Sequence, residues 1–265
     1  MSSELIERFR ALHRGPLLML PNAWDALSAR LFEEAGARAV ATSSAVLAWA
    51  HGYADGEKLP LERLLGSVRE IASKLRVPTS VDLERGYARE PERVAEAVSA
   101  VLDAGAVGVN LEDGAEAAEH LADKLRAVRA RLGPRVFLNA RTCVVLHGKV
   151  SGEAAVREVL ERARLFEQAG ADGLFVPLLH DPNAIAAVAR GTRLPLNVMA
   201  LPGLPPPAAL AKRGAQRLSA ATRLGSLAYG AAARTARAWL EQVGTAALDR
   251  AEHLDYFQTN ALWKR

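Results

Sequence analysis

The sequence predicts a mixed α/β fold, specifically a (β/α)8 barrel in which eight parallel strands alternate with helices. Two recurring signals support this prediction, and they alternate along the chain. Four helical stretches end in a Gly-Ala pair followed by an apolar segment, and four other short apolar runs follow a proline. Glycine suits the left-handed cap of a helix, and proline is tolerated at the first position of a strand. Eight such strands favour a closed barrel, with an open doubly wound sheet as the alternative.

The two signals place the strands in order. The glycines are Gly36, Gly105, Gly170 and Gly214, and the prolines are Pro16, Pro78, Pro134 and Pro195. Together they predict strands that start near residues 17, 38, 79, 107, 135, 172, 196 and 216. Short apolar strands that alternate with helical segments are typical of a parallel sheet.

The segments between the strands have helical periodicity and capping residues. Helices are predicted over 25–35, 61–75, 91–104, 120–132 and 151–169. After the eighth strand, a helix over 224–240 and an amphipathic segment over 245–256 exceed what a barrel needs, and we expect them to pack on a partner subunit. The predicted organisation is one barrel domain over 1–265, with 224–265 as a C-terminal helical extension.

The composition indicates a globular protein and disfavours several classes of function. Half of the residues are hydrophobic, and 34 basic against 30 acidic residues leave a net charge of only +4. Aromatic residues make up 5% of the chain, and no block of basic residues stands out, so no nucleic-acid partner is expected. Cys143 is the one cysteine, which excludes an intrachain disulfide. The chain has neither a signal sequence nor a long apolar run, so we expect a cytoplasmic protein without a membrane partner.

Polar residues cluster where five of the predicted strands end, and this is the end of a (β/α)8 barrel that carries the active site. They are Ser43, Ser44, Asp55, Asp82, Glu84, Asn110, Glu112, Asp113, Asn139, Arg141 and Asn197. Carboxylates gathered in this way repel one another, and a hard divalent cation such as Mg²⁺ would offset that repulsion. Arg141 can hold a substrate carboxylate in a bidentate pair. The pattern therefore predicts a metal site for small anionic substrates that react through an enolate or oxyanion.

Eight motifs occur in order between about residues 17 and 220. They are PNAWD (21–25), ATSS (41–44), GYAD (52–55), VDLERGY (81–87), GVNLED (108–113), NART (139–142), AGADGLFVP (169–177) and LNVMA (196–200). None of them is specific alone, but their combination resembles the isocitrate lyase and phosphoenolpyruvate mutase superfamily. The resemblance covers most of the chain.

The resemblance implies a barrel that depends on Mg²⁺, with Mn²⁺ as an alternative, and that acts on 2-oxo or 2-hydroxy acids. It implies a homodimer or homotetramer in which the last helix is swapped between subunits. Carried over by position, Asp82 is the principal metal ligand, supported directly or through water by Asp55, Glu84 and Glu112. Ser43, with the backbone of Ser44 and Ala45, would hold the substrate carboxylate, while Arg141 and Asn197 would bind its other oxygens.

Three departures from the superfamily pattern narrow the predicted reaction. The catalytic cysteine loop of isocitrate and methylisocitrate lyases is replaced by GAEAAEH over 114–120, which argues against a standard isocitrate lyase. Cys143 stands where many relatives have an aspartate. The gating loop of the mutases is also absent, and a short cover disfavours an activity that must exclude water.

We therefore predict a Mg²⁺-dependent carbon–carbon lyase or decarboxylase that acts on a small 2-oxo or 2-hydroxy dicarboxylic acid through a pyruvate-like enolate. Asp55 and Arg141 are predicted catalytic residues, and the proton donor is His120, Glu116, Tyr53 or a water on the metal. One alternative is a phosphonopyruvate hydrolase or a carboxyphosphonate or phosphoenolpyruvate mutase. Another is a barrel that binds 2-oxo acids without turning them over.

Overall fold

The computed structural model of the chain describes residues 2–148, 150–241, 245–249 and 253–264. It divides into two compact units, Met1–Thr222 and Arg223–Arg265. The first unit contains all nine strands found in the described residues and carries the predicted site. The described residues of the second unit form helices joined by short segments.

The strands form one parallel sheet that is nearly closed into a barrel. They are β1 (Leu18–Leu20), β2 (Asn22–Ala23), β3 (Val40–Thr42), β4 (Thr79–Asp82), β5 (Gly108–Glu112), β6 (Phe137–Arg141), β7 (Gly173–Phe175), β8 (Leu196–Met199) and β9 (Ala215–Ser219). Each neighbouring pair from β2 to β9 is parallel, and β1 pairs with β9. Only Pro21 separates β1 from β2, so these two short strands occupy one position in the barrel. The predicted (β/α)8 barrel is confirmed.

The helices of the first unit cover the outside of the sheet, plug one end of it and form part of its loops. They are α1 (Ser2–Leu12), α2 (Ala26–Glu34), α3 (Ser44–Ala50), α4 (Leu61–Ser73), α5 (Pro91–Asp103), α6 (Ala118–Leu132), α7 (Val144–His147), α8 (Gly152–Gln168), α9 (Pro182–Gly191) and α10 (Pro207–Lys212). The five helices predicted between strands correspond to α2, α4, α5, α6 and α8. The sequence analysis missed α1, α3, α7, α9 and α10, most of which are short.

Helix α1 plugs the end of the barrel opposite the predicted site. Phe9 is fully buried and packs edge-to-face against Phe137, with ring centroids 5.1 Å apart. Ile6 joins the same apolar cluster inside the barrel, together with Leu18 of β1. Burial of these side chains closes that end to solvent and leaves the carboxyl ends of the strands as the open mouth.

The middle of the barrel is polar rather than aliphatic. Asn139 of β6 donates to Asn110 Oδ1 at 2.8 Å and to Asn197 Oδ1 at 3.3 Å across the interior. Gly173 of β7 is required here because a Cβ atom would lie 2.7 Å from Asn139 Oδ1. Arg217 of β9 is also fully buried in this layer. These residues form the floor beneath the site.

The second unit confirms the helix predicted over 224–240, which is α11 (Arg223–Glu241). The amphipathic segment predicted over 245–256 contains the short helix α12 (Ala246–Asp249) and ends where a second short helix, α13 (Tyr256–Ala261), begins. Asp255 starts the second of them, because its side chain accepts a hydrogen bond from the backbone N–H of Gln258 at 2.8 Å. Residues 250–252 of the predicted segment lie outside the described residues.

No helix within the described ranges is both long enough and apolar enough to cross a bilayer.

Candidate active site

A cavity of about 150 Å³ lies at the carboxyl ends of the strands and brings six predicted site residues together. These six are Ser43, Ser44, Ala45, Asp55, Asp82 and Arg141. A polar set of Asn22, Asn110, Ser219 and Thr222 also lines it. The apolar part of its wall consists of Leu146, Phe175, Pro177, Leu178, Met199 and Ala221. A larger groove of about 830 Å³ contains no predicted site residue.

Asp82 and Arg141 form the charged centre of this cavity. Asp82 ends β4, and its backbone N–H donates to Thr42 Oγ1 at 3.1 Å. Arg141 Nη1 lies 3.5 Å from Asp82 Oδ2 and 2.9 Å from Glu112 Oε2. Burial raises the pKa of the Asp82 carboxyl, and the charge of Arg141 opposes that rise. Arg141 therefore acts as a counter-ion for two carboxylates, in addition to its place in the cavity wall.

Glu84 is turned away from the cavity by a reciprocal contact between two loops. The backbone N–H of Glu57 donates to both Glu84 carboxylate oxygens, at 2.9 and 3.0 Å. In return, Glu57 Oε1 accepts from the backbone N–H groups of Arg85 at 3.0 Å and Tyr87 at 2.8 Å. Burial raises the pKa of Glu84 to about 7, although the Glu57 N–H opposes that rise. The loop that carries Asp55 and the loop that follows Asp82 are thus held together by Glu57 and Glu84.

The backbone at this contact is strained, and such strain persists only where the surrounding structure enforces the conformation. Glu57, Glu84 and Tyr87 have φ angles of +60°, +50° and +61°. Gly86, between the last two, has a φ of +97°, and a Cβ atom there would lie 2.5 Å from a Val94 methyl group. Only glycine fits that position, because both the backbone conformation and the space exclude a side chain.

The acidic pair at the end of β5 is divided between two roles. Glu112 pairs with Arg141, and burial raises the pKa of the Glu112 carboxyl. Asp113 is buried and accepts from Arg162 Nη1 and from the backbone N–H of Cys143, each at 2.8 Å. Its partners lie outside the cavity, so Asp113 is structural. Cys143 is buried and its pKa is raised by burial to about 12, which suits a packing residue and not a nucleophile.

His120 and Asn197, like Glu84 and Glu112, do not line the cavity. His120 lies on α6 and pairs with Glu116, with Nδ1 and Oε2 3.3 Å apart, on an exposed surface. Asn197 lies one layer below, where its Nδ2 donates to Ser219 Oγ at 3.1 Å and to Val198 O at 2.6 Å. The residues that line the cavity include none of the three predicted proton donors His120, Glu116 and Tyr53.

The donor set fits a magnesium ion that keeps most of its water or substrate ligands. Within the described ranges, no three His, Cys, Asp or Glu side chains are close enough to enclose a metal by themselves. Mg²⁺ in enzymes commonly takes only one or two protein carboxylates, with waters and substrate oxygens completing the octahedron. Asp82 and Asp55, which both line the cavity, provide that number.

Asn22 and Glu57 are site residues that the sequence analysis did not single out. Asn22 Nδ2 donates to Thr42 O at 2.8 Å, and its Oδ1 accepts from the backbone N–H of Ala221 at 2.9 Å. It therefore links the end of β3 to the segment after β9 at the mouth of the barrel. The PNAWD motif contained the signal for Asn22, whereas the role of Glu57 depends on a contact between loops about thirty residues apart.

The chain belongs to the phosphoenolpyruvate phosphomutase family, whose sequence profile matches residues 9–240. An uncharacterised protein of Mycobacterium tuberculosis is 34% identical over 232 residues, which cover 85% of this chain and 86% of that protein. Two crystal structures from Burkholderia cenocepacia are similar. A candidate phosphonomutase has a TM-score of 0.82 at 39% identity over 90% of this chain and 100% of that chain. A candidate lyase or mutase has a TM-score of 0.90 at 30% identity over 100% and 97%.

Other relatives show the range of reactions in this superfamily of lyases and mutases. A protein of Corynebacterium glutamicum named as a 2-methylisocitrate lyase is 31% identical over 66% of this chain and 60% of its own length. An oxaloacetate decarboxylase of Rhodopseudomonas palustris is 28% identical over 72% of this chain and 69% of its own. A phosphonopyruvate hydrolase crystallised with oxalate and Mg²⁺ shares the fold, with a TM-score of 0.85 at 23% identity, over 98% and 94%. These similarities support an enzyme of this class.

Proposed function

We propose that the protein is a Mg²⁺-dependent lyase or decarboxylase that acts on a small 2-oxo or 2-hydroxy dicarboxylic acid through a pyruvate-like enolate. The observation that carries this proposal is the single cavity that joins Asp82 and Asp55 to Arg141 and the segment 43–45. Its volume of about 150 Å³ suits a small metabolite better than a drug-sized ligand.

Each group has a role in this proposal. Asp82 and Asp55 would hold the metal, and Mg²⁺, when bound, supplies Lewis-acid stabilisation of the enolate oxygen. Ser43 and its neighbours would hold the carboxylate beside that oxygen. Arg141 would bind the second carboxylate through the donors that Asp82 and Glu112 leave free. The buried floor limits the access of water from below.

A phosphonate reaction is the second candidate. It is favoured by the 39% identity to a candidate phosphonomutase and by the fold shared with phosphonopyruvate hydrolase. A phosphonate would use the same cavity, so the two candidates differ only in the group cleaved from the enolate. A barrel that binds 2-oxo acids without turnover is the third outcome of the experiment below.

The test is proton and phosphorus NMR of the purified protein with oxaloacetate, substituted malates, methylisocitrate, isocitrate and phosphonopyruvate, with and without Mg²⁺. We expect metal-dependent loss of a dicarboxylate above the rate in protein-free controls. Consumption of phosphonopyruvate would support the second candidate instead. Line broadening without product would identify a binding protein.

The metal assignment is tested by calorimetric titration of Mg²⁺ into wild-type protein and Asp82→Asn. We expect the variant to lose measurable Mg²⁺ binding, because it removes the principal carboxylate. Arg141→Ala should bind Mg²⁺ while losing affinity for oxalate. Undiminished Mg²⁺ binding by Asp82→Asn would show that the ligands lie elsewhere.

We also propose that the protein is a cytoplasmic homodimer or homotetramer whose C-terminal extension, 224–265, contacts another subunit by helix exchange. Large apolar side chains in this unit support self-association, since Leu240, Tyr256 and Phe257 are each more than 70% exposed. Light scattering after size-exclusion chromatography, applied to the full chain and to a chain ending at residue 222, tests this proposal. A monomeric mass for both chains would contradict it.

A further inference from the structure

Arg217 is a buried cation that the proposed chemistry does not use. It lies on β9, opposite Leu18 of β1 and Asn197 of β8, and only 1% of its surface is exposed. Ser219, two residues further along β9, lines the cavity. Since side chains two residues apart point to the same face of a strand, Arg217 lies about 7 Å below the cavity lining.

The surroundings of Arg217 leave its charge almost without compensation. Its guanidinium carbon lies 5.9 Å from the centre of the Phe9 ring, and Nε and Nη1 have no hydrogen-bond partner among the described residues. Within those residues it forms no ion pair, and the carboxylate whose charge acts on it is Asp82. Burial lowers the pKa of Arg217 to about 9, so the side chain is still protonated at neutral pH.

Other buried or partly buried arginines of the first unit are paired. Arg30 contacts both Glu33 and Glu34, Arg141 contacts Asp82 and Glu112, and Arg162 contacts Asp113 and Glu158. An unpaired buried cation destabilises the folded protein relative to an apolar side chain of similar volume, because its charge loses its hydration without gaining a partner. Packing alone is therefore a poor explanation for an arginine in this layer.

The position of this charge below the cavity explains better why an arginine occupies this buried layer. The cavity is lined by Asp55 and Asp82, which favour a cation and repel an anion. A fixed positive charge beneath the floor has the opposite effect, because it repels a cation and attracts an anion in the cavity. Low-dielectric surroundings strengthen this effect.

We propose that Arg217 is a specificity-determining residue that makes the cavity accept a small dianionic acid next to its metal-binding carboxylates, without touching the ligand. This inference rests on the proposed function. It predicts a trade-off, in which the charge strengthens the binding of the acid and weakens the binding of Mg²⁺ alone.

The experiment measures two affinities by calorimetry, that of Mg²⁺ alone and that of oxalate at saturating Mg²⁺. The variants are Arg217→Met and Arg217→Gln, which remove the charge, and Arg217→Lys, which keeps it. We expect both neutral variants to bind oxalate about tenfold more weakly and Mg²⁺ several-fold more tightly, as expected for a charge at this distance. Arg217→Lys should restore both values to near those of the wild type.

Arg30→Met is the matched control, since it also removes a buried arginine but lies on α2, with its partners on that helix. We expect it to change neither affinity. If the neutral Arg217 variants weaken both affinities, change neither, or fail to fold while Arg217→Lys folds, Arg217 is structural and the inference is overturned. Absence of Mg²⁺-dependent oxalate binding by the wild-type protein would overturn the proposed function, and this inference with it.

Discussion

Asp82 and Asp172 lie at opposite ends of the same barrel and both face arginines, yet their surroundings differ. At the plugged end, Asp172 accepts from Arg10 Nη1 at 2.5 Å, from Arg129 Nη2 at 2.6 Å and from the backbone N–H of Leu138 at 2.9 Å. At the open end, Asp82 has Arg141 at 3.5 Å and lines a cavity.

The comparison separates a carboxylate whose hydrogen-bond partners are complete from one that keeps spare coordinating capacity. Every strong donor around Asp172 comes from the protein, so its interactions are complete once the chain has folded. Asp82 is buried with spare coordinating capacity, which costs stability in the free protein and can be recovered when a ligand binds. A carboxylate with incomplete partners in a buried cavity is therefore the stronger indication of function.

The largest effect on stability should come from removing the Asp172 carboxylate at the plugged end of the barrel. Asp172→Asn leaves Arg10 and Arg129 without an anionic partner, and we expect it to lower the free energy of unfolding by about 3 kcal/mol. Urea denaturation measures this change. Asp123→Asn, which removes an exposed partner of Arg126, is the control and should change stability by less than about 0.5 kcal/mol. Equal effects of the two substitutions would contradict the comparison.

A second prediction concerns pH and the plugged end. His13 is buried against Phe137, with ring centroids 4.3 Å apart, and burial lowers its pKa to about 3, with the charge of Arg217 as a further cause. The unfolded chain takes up a proton near pH 6.5 whereas the folded chain does not. Stability should therefore fall as the pH drops from 6.5 towards 3, by about 1.4 kcal/mol per pH unit from this group.

The contribution of His13 is isolated by comparing urea denaturation of wild-type protein and His13→Phe across that range. His13→Phe keeps an aromatic ring between Phe9 and Phe137 but cannot be protonated. Its stability should depend less on pH than that of the wild type. Parallel pH profiles for the two proteins would show that His13 is charged in the folded state.

The smallest effect should have the opposite sign and comes from the open end. Asp82→Asn removes a carboxylate whose pKa is raised by burial, so we expect it to stabilise the metal-free protein by about 1 kcal/mol at pH 7. The gain should shrink as the pH falls and the wild-type carboxyl becomes protonated. Thermal denaturation without added Mg²⁺ measures it, and a loss of stability would place Asp82 with the structural carboxylates.

Most of the fold could be predicted from local sequence signals. Glycine after a helix and proline before a strand act through the backbone of one or two residues, so they are visible without tertiary information. Together with helical periodicity, they located the eight strand positions and five of the helices between them. Helix α1 was not predicted, because it precedes the first strand and plugs the end of the barrel instead of connecting two strands.

The candidate site could be predicted only in outline. Residues at the ends of strands, such as Asp82 and Arg141, could be placed because parallel strands all end at the same side. Asn197 and His120 were misplaced, because the choice between the cavity and the layer below, or the outer helix surface, depends on packing. Glu57 was missed because its partners Glu84, Arg85 and Tyr87 are 27 to 30 residues away in the sequence.

The sequence by itself determined the barrel, the family and the end of the barrel at which the polar residues gather, since these depend on periodicity and on local backbone preferences. Tertiary structure alone decided which carboxylates keep spare coordination and which are saturated, and which arginine is left unpaired beneath the cavity. The physical reason is that hydrogen bonding and burial are relations between distant segments, and the chain acquires them only when the barrel closes.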